Sequence, residues 1–209
     1  MHSAEPVIGI DVGGPRKGFH AVALVGGRCF DRYSSTNAAL VAKWCLTIQP
    51  RAIGIDAPCR WSKDGRARPA ERGLAAARIF SFATPTLEGA RASPFHQWMI
   101  AGAELYRRLA PAYPLLQSAT PPTSRFCFET FPHAVACHLA GTILSARNKR
   151  TDRREMLKSN GVATELLTNI DWVDAALCAL TADLALNGNS TTYGDAETGF
   201  IVVPAHAGI

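Results

Sequence analysis

Short apolar runs and amphipathic stretches follow one another along most of this chain and predict its secondary structure. Six short runs, most of them rich in Val, Ile or Phe, have the length and composition of strands. The glycine pair at 26–27 predicts a tight turn between the second and third of them. The predicted strands cover residues 7–12, 18–25, 28–33, 52–56, 126–129 and 199–203.

Helical periodicity occupies most of the intervals between these strands. Leu40, Val41, Trp44 and Cys45 form one apolar stripe, which is typical of a helix that packs on a sheet. The last helix is apolar nearly all round, so we expect it to be buried. The predicted helices cover residues 37–48, 68–79, 95–109, 133–140, 152–159 and 172–187.

The order of these elements predicts the fold class. Three consecutive strands with short connections indicate an antiparallel meander, and the later strands alternate with helices. We therefore expect an α/β protein whose mixed sheet combines this three-strand meander with parallel strands and carries helices on both faces. The 209 residues suit one domain over 1–209. A helical insertion at about 59–124 begins polar and basic and ends in a proline-rich loop.

Composition excludes several classes of protein. Hydrophobic residues make up 47% and charged residues 19%, which excludes a disordered tail protein. No stretch approaches the roughly 20 apolar residues of a membrane helix. The first residues lack the pattern of a signal peptide. The six cysteines include no C-x-x-C pair, which suits reduced thiols in the core. We therefore expect a cytoplasmic protein that is not inserted in a membrane.

A mild basic excess favours polyanionic partners. The formal net charge is +5, and the basic residues concentrate in two stretches. These stretches are either nucleic-acid contacts or simply two solvated faces. The first contains Arg60, Lys63, Arg66, Arg68 and Arg72, and the second contains Arg147, Lys149, Arg150, Arg153 and Arg154.

A duplicated tetrapeptide is the strongest chemical signal in the chain. Ile8-Gly9-Ile10-Asp11 and Ile53-Gly54-Ile55-Asp56 are two apolar strands that each end in an aspartate. If the strands are neighbours, about 4.8 Å apart, both carboxylates lie within reach of one cation. Hard divalent ions such as Mg²⁺ prefer such oxygen ligands. The alternative is that each aspartate caps its own turn by accepting hydrogen bonds from loop amides.

Further acids stand at the ends of other elements. Glu129 lies where the fifth strand leads into a helix, so it either points into a polar cleft or serves as a helix cap or ion-pair partner of an arginine. Asp171 and Asp174 stand at the head of the last helix, three residues apart and on one face. They either form a plain capping arrangement, with Asp171 as N-cap, or one of them reaches a metal.

The ordered set of these motifs resembles a known family. An aspartate ending the first strand, an acid ending the fourth and a D-x-x-D heading the last helix are similar to the ribonuclease H-like superfamily, especially its Holliday-junction resolvase branch. The chain more closely resembles the predicted-nuclease family called domain of unknown function 429. The matching stretches are Gly9-Ile-Asp11 with Lys17-Gly-Phe19, Ile55-Asp-Ala-Pro58, Arg68-x-x-Glu71-Arg72, Glu129-Thr-Phe-Pro132, Asp171-Trp-Val-Asp-Ala175 and Gly199-Phe-Ile-Val-Val-Pro204.

The resemblance implies a nuclease that hydrolyses phosphodiester bonds of DNA or RNA with one or two Mg²⁺ or Mn²⁺ ions. The implied catalytic residues are Asp11, Asp56, Glu129 and Asp174, and the implied metal ligands are Asp11, Asp56 and Asp174, with Glu129 or Asp171 as a fourth. Asp56 departs from the resolvases, which have a longer Glu there. The implied nucleic-acid contacts are Lys17, Arg60, Arg68, Arg72, Arg150 and Arg153, although the arginines near 60–72 alternatively form an ion-pair network with Glu71.

Two other functions fit parts of the pattern. One is a non-catalytic scaffold of the same fold that binds nucleic acid or a protein. The other is phosphotransfer by an actin-like or sugar-kinase-like protein, because Gly13-Gly14 and Lys17 follow Asp11; such proteins need a second similar domain, for which the chain has no room. The chain lacks the G-x-S-x-G motif of serine hydrolases. The oligomeric state stays open, and a homodimer is compatible with the sequence.

Overall fold

One mixed sheet of seven strands organises residues 4–205, the part of the chain that the computed structural model describes. The strand order across the sheet is β3-β2-β1-β4-β5-β7-β6. The strands are β1 (Val7–Val12), β2 (Phe19–Val25), β3 (Arg28–Ser35), β4 (Ala52–Asp56), β5 (Phe126–Thr130), β6 (Ser190–Asp195) and β7 (Gly199–Pro204).

The pairing of these strands confirms the predicted mixed sheet. β1, β2 and β3 form the antiparallel meander, and β4, β5 and β7 continue the sheet in parallel to β1. This is the combination of a three-strand meander with parallel strands that the order of the elements predicted. The edge strand β6, antiparallel to β7, was not predicted. Its residues are polar and none of them is fully buried, so they lack the apolar alternation by which a strand is recognised.

Seven α-helices accompany the sheet within the described residues. They are α1 (Ala38–Ile48), α2 (Pro69–Ala76), α3 (Leu87–Ala92), α4 (Gln97–Leu109), α5 (Pro132–Ala140), α6 (Lys149–Ser159) and α7 (Ile170–Leu186). The six predicted helices correspond to all of these except α3, a helix of six residues that is too short to show a period. None of the helices among residues 4–205 is long and apolar enough to cross a membrane.

Strand alternation assigns each side chain to one of two cores. Val7, Gly9 and Asp11 of β1 face α7, while Ile8 and Ile10 face the opposite layer, which contains α1 and α4. Helices therefore cover both faces of the sheet, as expected from the sequence. The six cysteines all lie in the described part of the chain and are free.

Two glycines let α7 pack unusually close to the sheet. A Cβ atom on Gly9 would lie 2.0 Å from the Ala175 carbonyl oxygen and 2.1 Å from the Ala179 nitrogen. A Cβ atom on Gly54 would lie 2.5 Å from the Cys178 carbonyl oxygen. Any larger residue would push the helix away from the sheet. The glycines of the duplicated tetrapeptide therefore set the distance between the strand-end aspartates and the helix.

The insertion packs against the loop that follows β4. Tyr106 of α4 donates its hydroxyl hydrogen to the Ala57 carbonyl oxygen at 3.1 Å. A Cβ on Gly102 would come within 2.5 Å of the Ala57 side chain, so the helix touches this loop directly. The insertion consequently fixes the backbone immediately after Asp56.

Candidate active site

Asp11 and Asp56 face each other across two parallel strands. The register of β1 and β4 pairs Gly9 with Gly54 and Asp11 with Asp56. Residues in direct register share one face of a sheet, so both carboxylates lie on the α7 side. Both residues are partly exposed, at the edge where the strands end. The predicted neighbourhood of the two tetrapeptides is therefore present.

Both carboxyl groups resist ionisation. Burial, followed by the negative charges of Asp174 and Asp171, raises the pKa of Asp11 from 3.8 to about 7. Burial and the charges of Asp11 and Asp174 raise the pKa of Asp56 well above its ordinary value. Groups with such pKa values are common where a protein binds a cation or performs proton chemistry.

The head of α7 carries its own carboxylates, each held by a basic side chain. Asp171 accepts a hydrogen bond from Lys17 Nζ at 2.7 Å, and Asp174 Oδ1 accepts one from Arg153 at 2.5 Å. Asn169 is the N-cap, because its side chain accepts a hydrogen bond from the Trp172 amide. The capping alternative for Asp171 and Asp174 is therefore wrong. Neither carboxylate is needed to cap the helix, and each instead has a basic side chain as its partner.

Only two of the four carboxyl groups have an ion-pair partner among the described residues. Lys17 pairs with Asp171 and Arg153 pairs with Asp174, whose pKa the charge of Lys149 also lowers. Asp11 and Asp56 have no such partner, and their raised pKa values mean that ionising both is unfavourable without a further cation. Burial raises the pKa of Asp174, and Arg153 offsets only part of this effect. One divalent cation would favour the ionised form of these carboxyl groups, and oxygen-only ligands suit Mg²⁺ or Mn²⁺.

The described residues do not form a ready-made metal site. Among them, no three His, Cys, Asp or Glu side chains are grouped closely enough to hold an ion as they stand. The ion pairs of Asp171 and Asp174 explain part of this, since each directs an oxygen toward a cationic side chain. Asp11 and Asp56 are left as the pair without such a partner.

Glu129 belongs to the other face of the sheet. Its register partner is Ile55, which points away from α7, so the Glu129 carboxylate lies on the face opposite to Asp11 and Asp56. It accepts two hydrogen bonds from Arg68, at 2.6 and 2.9 Å, and one from the Cys59 amide at 2.8 Å. The ion-pair alternative for Glu129 is therefore the one present, and its bond to Cys59 fixes the loop after Asp56.

Arg68 is a buried structural residue. Its exposed fraction is 3%, and its Nε donates to Glu71 at 2.9 Å in addition to the bonds with Glu129. Burial opposes its charge, but the two carboxylates raise its pKa above the ordinary value. The Thr84 amide and hydroxyl complete the network by donating to Glu71. Arg68 is thus inaccessible to a phosphate, and the network alternative with Glu71 holds for it.

The other basic residues divide by exposure. Arg60, Arg72 and Arg150 are exposed, and none of the three has an acidic partner within the described residues. Arg153 is buried and forms an ion pair with Asp174, so in this arrangement its guanidinium is not free to contact a phosphate. Lys17 is exposed but paired with Asp171.

Two features of the site carried no clear signal in the sequence. His20 is the register partner of Asp11 on β2, and its ring lies 4.8 Å from that of Trp172 in an edge-to-face contact. A cavity of about 50 Å³ opens beside Asp56 and Glu129, with aromatic walls from Phe82, Trp98 and Phe131. The aromatic residues of 80–98 were visible in the sequence, but only the packing of the insertion brings them to this edge.

Comparisons with known proteins assign the family. A solved structure of RuvC from Thermus thermophilus aligns with 89% of this chain and 98% of its own, at 13% sequence identity and a TM-score of 0.49. None of the curated proteins compared matches this sequence. The family model described as "Protein of unknown function (DUF429)" matches residues 9–198, which is most of the chain. The chain therefore belongs to the DUF429 family.

Proposed function

We propose that this protein is a divalent-metal-dependent nuclease that hydrolyses phosphodiester bonds in nucleic acid. The observation that carries this proposal is the register pair of Asp11 and Asp56, which lies beside the acidic head of α7 and whose carboxyl groups are held in a site that opposes their ionisation without a cation. Exposed arginines outside this acidic group supply the means to bind a polyanion. We further propose that the protein acts in the cytoplasm.

The chain's own residues divide the work between holding a cation and holding the strand. Asp11 and Asp56 would hold the ion, with Asp174 as the third ligand once Arg153 turns away from it, and Asp171 beside them. Mg²⁺ or Mn²⁺ supplies Lewis acidity and lowers the pKa of water. Arg60, Arg72 and Arg150 would contact backbone phosphates and position the strand. Arg68 and Glu129 act indirectly, because they hold the loop that follows Asp56.

Metal binding is the first test. Millimolar Mn²⁺ should raise the melting temperature of the native protein, because a ligand that binds only the folded state stabilises it. Asp56→Asn should abolish most of this shift. Glu88→Gln, which removes an exposed carboxylate on α3, is the matched control and should leave the shift unchanged. No shift in the native protein would contradict the metal centre.

Cleavage is the second test. Single-stranded, duplex, branched and RNA–DNA hybrid substrates are incubated with Mn²⁺, with EDTA and with the Asp56→Asn variant. We expect cleavage only by the native protein in Mn²⁺. Binding by Asp56→Asn should persist in EDTA, because the substitution removes a negative charge near the strand.

A specific observation keeps the non-catalytic scaffold as a second candidate. Asp171 and Asp174 already have cationic partners, and a protein that only binds nucleic acid has no need to release them. Salt-sensitive binding without metal-dependent cleavage would support this candidate. The phosphotransfer alternative is less favoured, because the Gly13, Lys17 and Gly18 amides are hydrogen-bonded inside their own loop rather than free for a phosphate.

A further inference from the structure

Three phenylalanine rings stand in solvent on the insertion. Phe80 is 74% exposed, and Phe82 and Phe95 are each 57% exposed. Neighbouring rings contact edge to face, with centroids 5.9 Å apart for Phe80 and Phe82 and 5.4 Å apart for Phe82 and Phe95. We call these three residues the aromatic strip. Contiguous exposed apolar surface of this kind marks a binding site more often than a lone exposed side chain does.

The segment that carries Phe80 and Phe82 is anchored at both ends. Ile79, just before it, is fully buried, and its amide bonds to the Leu74 carbonyl at the end of α2. Thr84, just after it, is also fully buried and donates to Glu71 in the Arg68 network. The segment between these two anchors spans only four residues. Anchoring a segment this short restricts the positions that Phe80 and Phe82 can take, which lowers the entropy cost of binding.

The strip continues into the candidate active site. Phe82 lines the cavity that Asp56 and Glu129 also line, so the middle ring of the strip lies at the edge of the sheet where Asp56 stands. Arg78 lies two residues before Phe80, and Arg91 lies four residues before Phe95. Both arginines are exposed and have no ion-pair partner in the described part of the chain. Exposed positive charge therefore lies within two to four residues of the two outer rings along the chain.

We infer that the aromatic strip stacks against unpaired nucleobases, so that the substrate of the proposed nuclease is single-stranded or locally unpaired nucleic acid. This inference rests on the proposed function. Aromatic rings accept the flat face of every base, while arginines beside them bind the phosphates between those bases. In a duplex the bases face one another and expose only their edges, so the strip has nothing to stack on.

The test separates bases from phosphates. Anisotropy in EDTA measures the binding of an oligothymidylate of about 15 nucleotides, of an abasic strand of equal length and of a duplex. The native protein should bind the oligothymidylate most tightly. Phe80→Ala/Phe82→Ala should bind it about tenfold more weakly and should bind the abasic strand as the native protein does. Phe82→Trp should retain tight binding, because the ring is kept.

Matched controls make every outcome informative. Phe30→Ala removes an exposed ring, 52% exposed, from β3 at the other edge of the sheet, and should leave binding unchanged. Equal affinity for abasic and natural strands, or equal loss in Phe30→Ala, would overturn the stacking role. Loss of a concentration-dependent dimer in the double variant, with nucleic-acid binding intact, would overturn it in favour of self-association. If the native protein cleaves nucleic acid and the strip substitutions change neither binding nor cleavage, only the stacking inference fails. If the native protein neither binds nor cleaves nucleic acid, the proposed function fails as well.

Discussion

The protonation of Asp11 reflects the burial of its carboxyl group and the negative charges of Asp174 and Asp171 near it. Its pKa in the folded protein, about 7, exceeds the ordinary value of 3.8. The metal-free native protein should therefore lose stability as the pH rises from about 4 to about 7, because the folded state must then give up a proton it holds more tightly than the unfolded chain does. Asp11→Asn mimics the protonated form and should become the more stable protein over that range, by on the order of 2 kcal/mol at pH 8.

Urea denaturation in EDTA at pH 5 and at pH 8 measures this difference. The advantage of Asp11→Asn should be larger at pH 8, and Mn²⁺ should stabilise the native protein but not the variant. If Asp11→Asn is less stable than the native protein at both pH values, Asp11 is a strand-end cap that accepts hydrogen bonds, and the metal hypothesis loses its central residue.

Arg68 offers a second prediction at the scale of single residues. Arg68→Met leaves the buried carboxylates of Glu71 and Glu129 without their cation, which should destabilise the protein by about 3–5 kcal/mol. Adding Glu129→Gln should recover part of the loss. The control is Arg72→Met, an exposed neighbour, with an expected change below about 0.5 kcal/mol. Equal effects of the two arginine substitutions would contradict a buried network.

Helix α7 and strand β1 act as one unit through Gly9. Gly9→Ala places a methyl group within about 2 Å of two backbone atoms of α7, as the 2.0 and 2.1 Å approaches show. We expect a loss of about 3 kcal/mol, because the helix must move outward. The Mn²⁺-dependent shift should also shrink, since Asp174 moves with the helix. Gly14→Ala, where the methyl group meets nothing within 4 Å, should change stability by less than about 1 kcal/mol.

At the scale of the whole molecule, the exposed arginines should make nucleic-acid binding sensitive to salt. Three phosphate contacts to a single strand predict that affinity falls about 20-fold between 50 and 200 mM salt. Replacing Arg60, Arg72 or Arg150 by Ala should each lower the logarithmic slope by about 0.7. Arg107→Ala is the control, because its guanidinium pairs with Glu104 on α4. A slope that no single arginine changes would place the binding surface elsewhere.

The local pattern of the chain determined most of the elements and the central pair of the site. Each Gly-Ile-Asp strand is short, apolar and ends in an acid. Its secondary structure and its last residue could therefore be predicted without knowing which strands lie beside it. The acids at the head of the last helix were equally visible. Strand β6 and helix α3 escaped because polar edge residues and a six-residue helix carry too little periodicity.

The pairing of the charged residues depends on the three-dimensional packing of the chain. In the register of β4 and β5, Glu129 pairs with Ile55 rather than with Asp56. Because side chains alternate between the two faces along a strand, this one-residue difference puts the Glu129 carboxylate on the opposite face from Asp56. Pairings such as Arg68 with Glu129 and Arg153 with Asp174 join residues far apart in the chain, so spacing alone could not distinguish a buried ion pair from a phosphate contact. The local sequence was enough to identify most strands and helices and the acids at their ends, because these features depend on neighbouring residues. The packing of α7 and the insertion decided the partners of those acids, because ion pairs depend on distance in space.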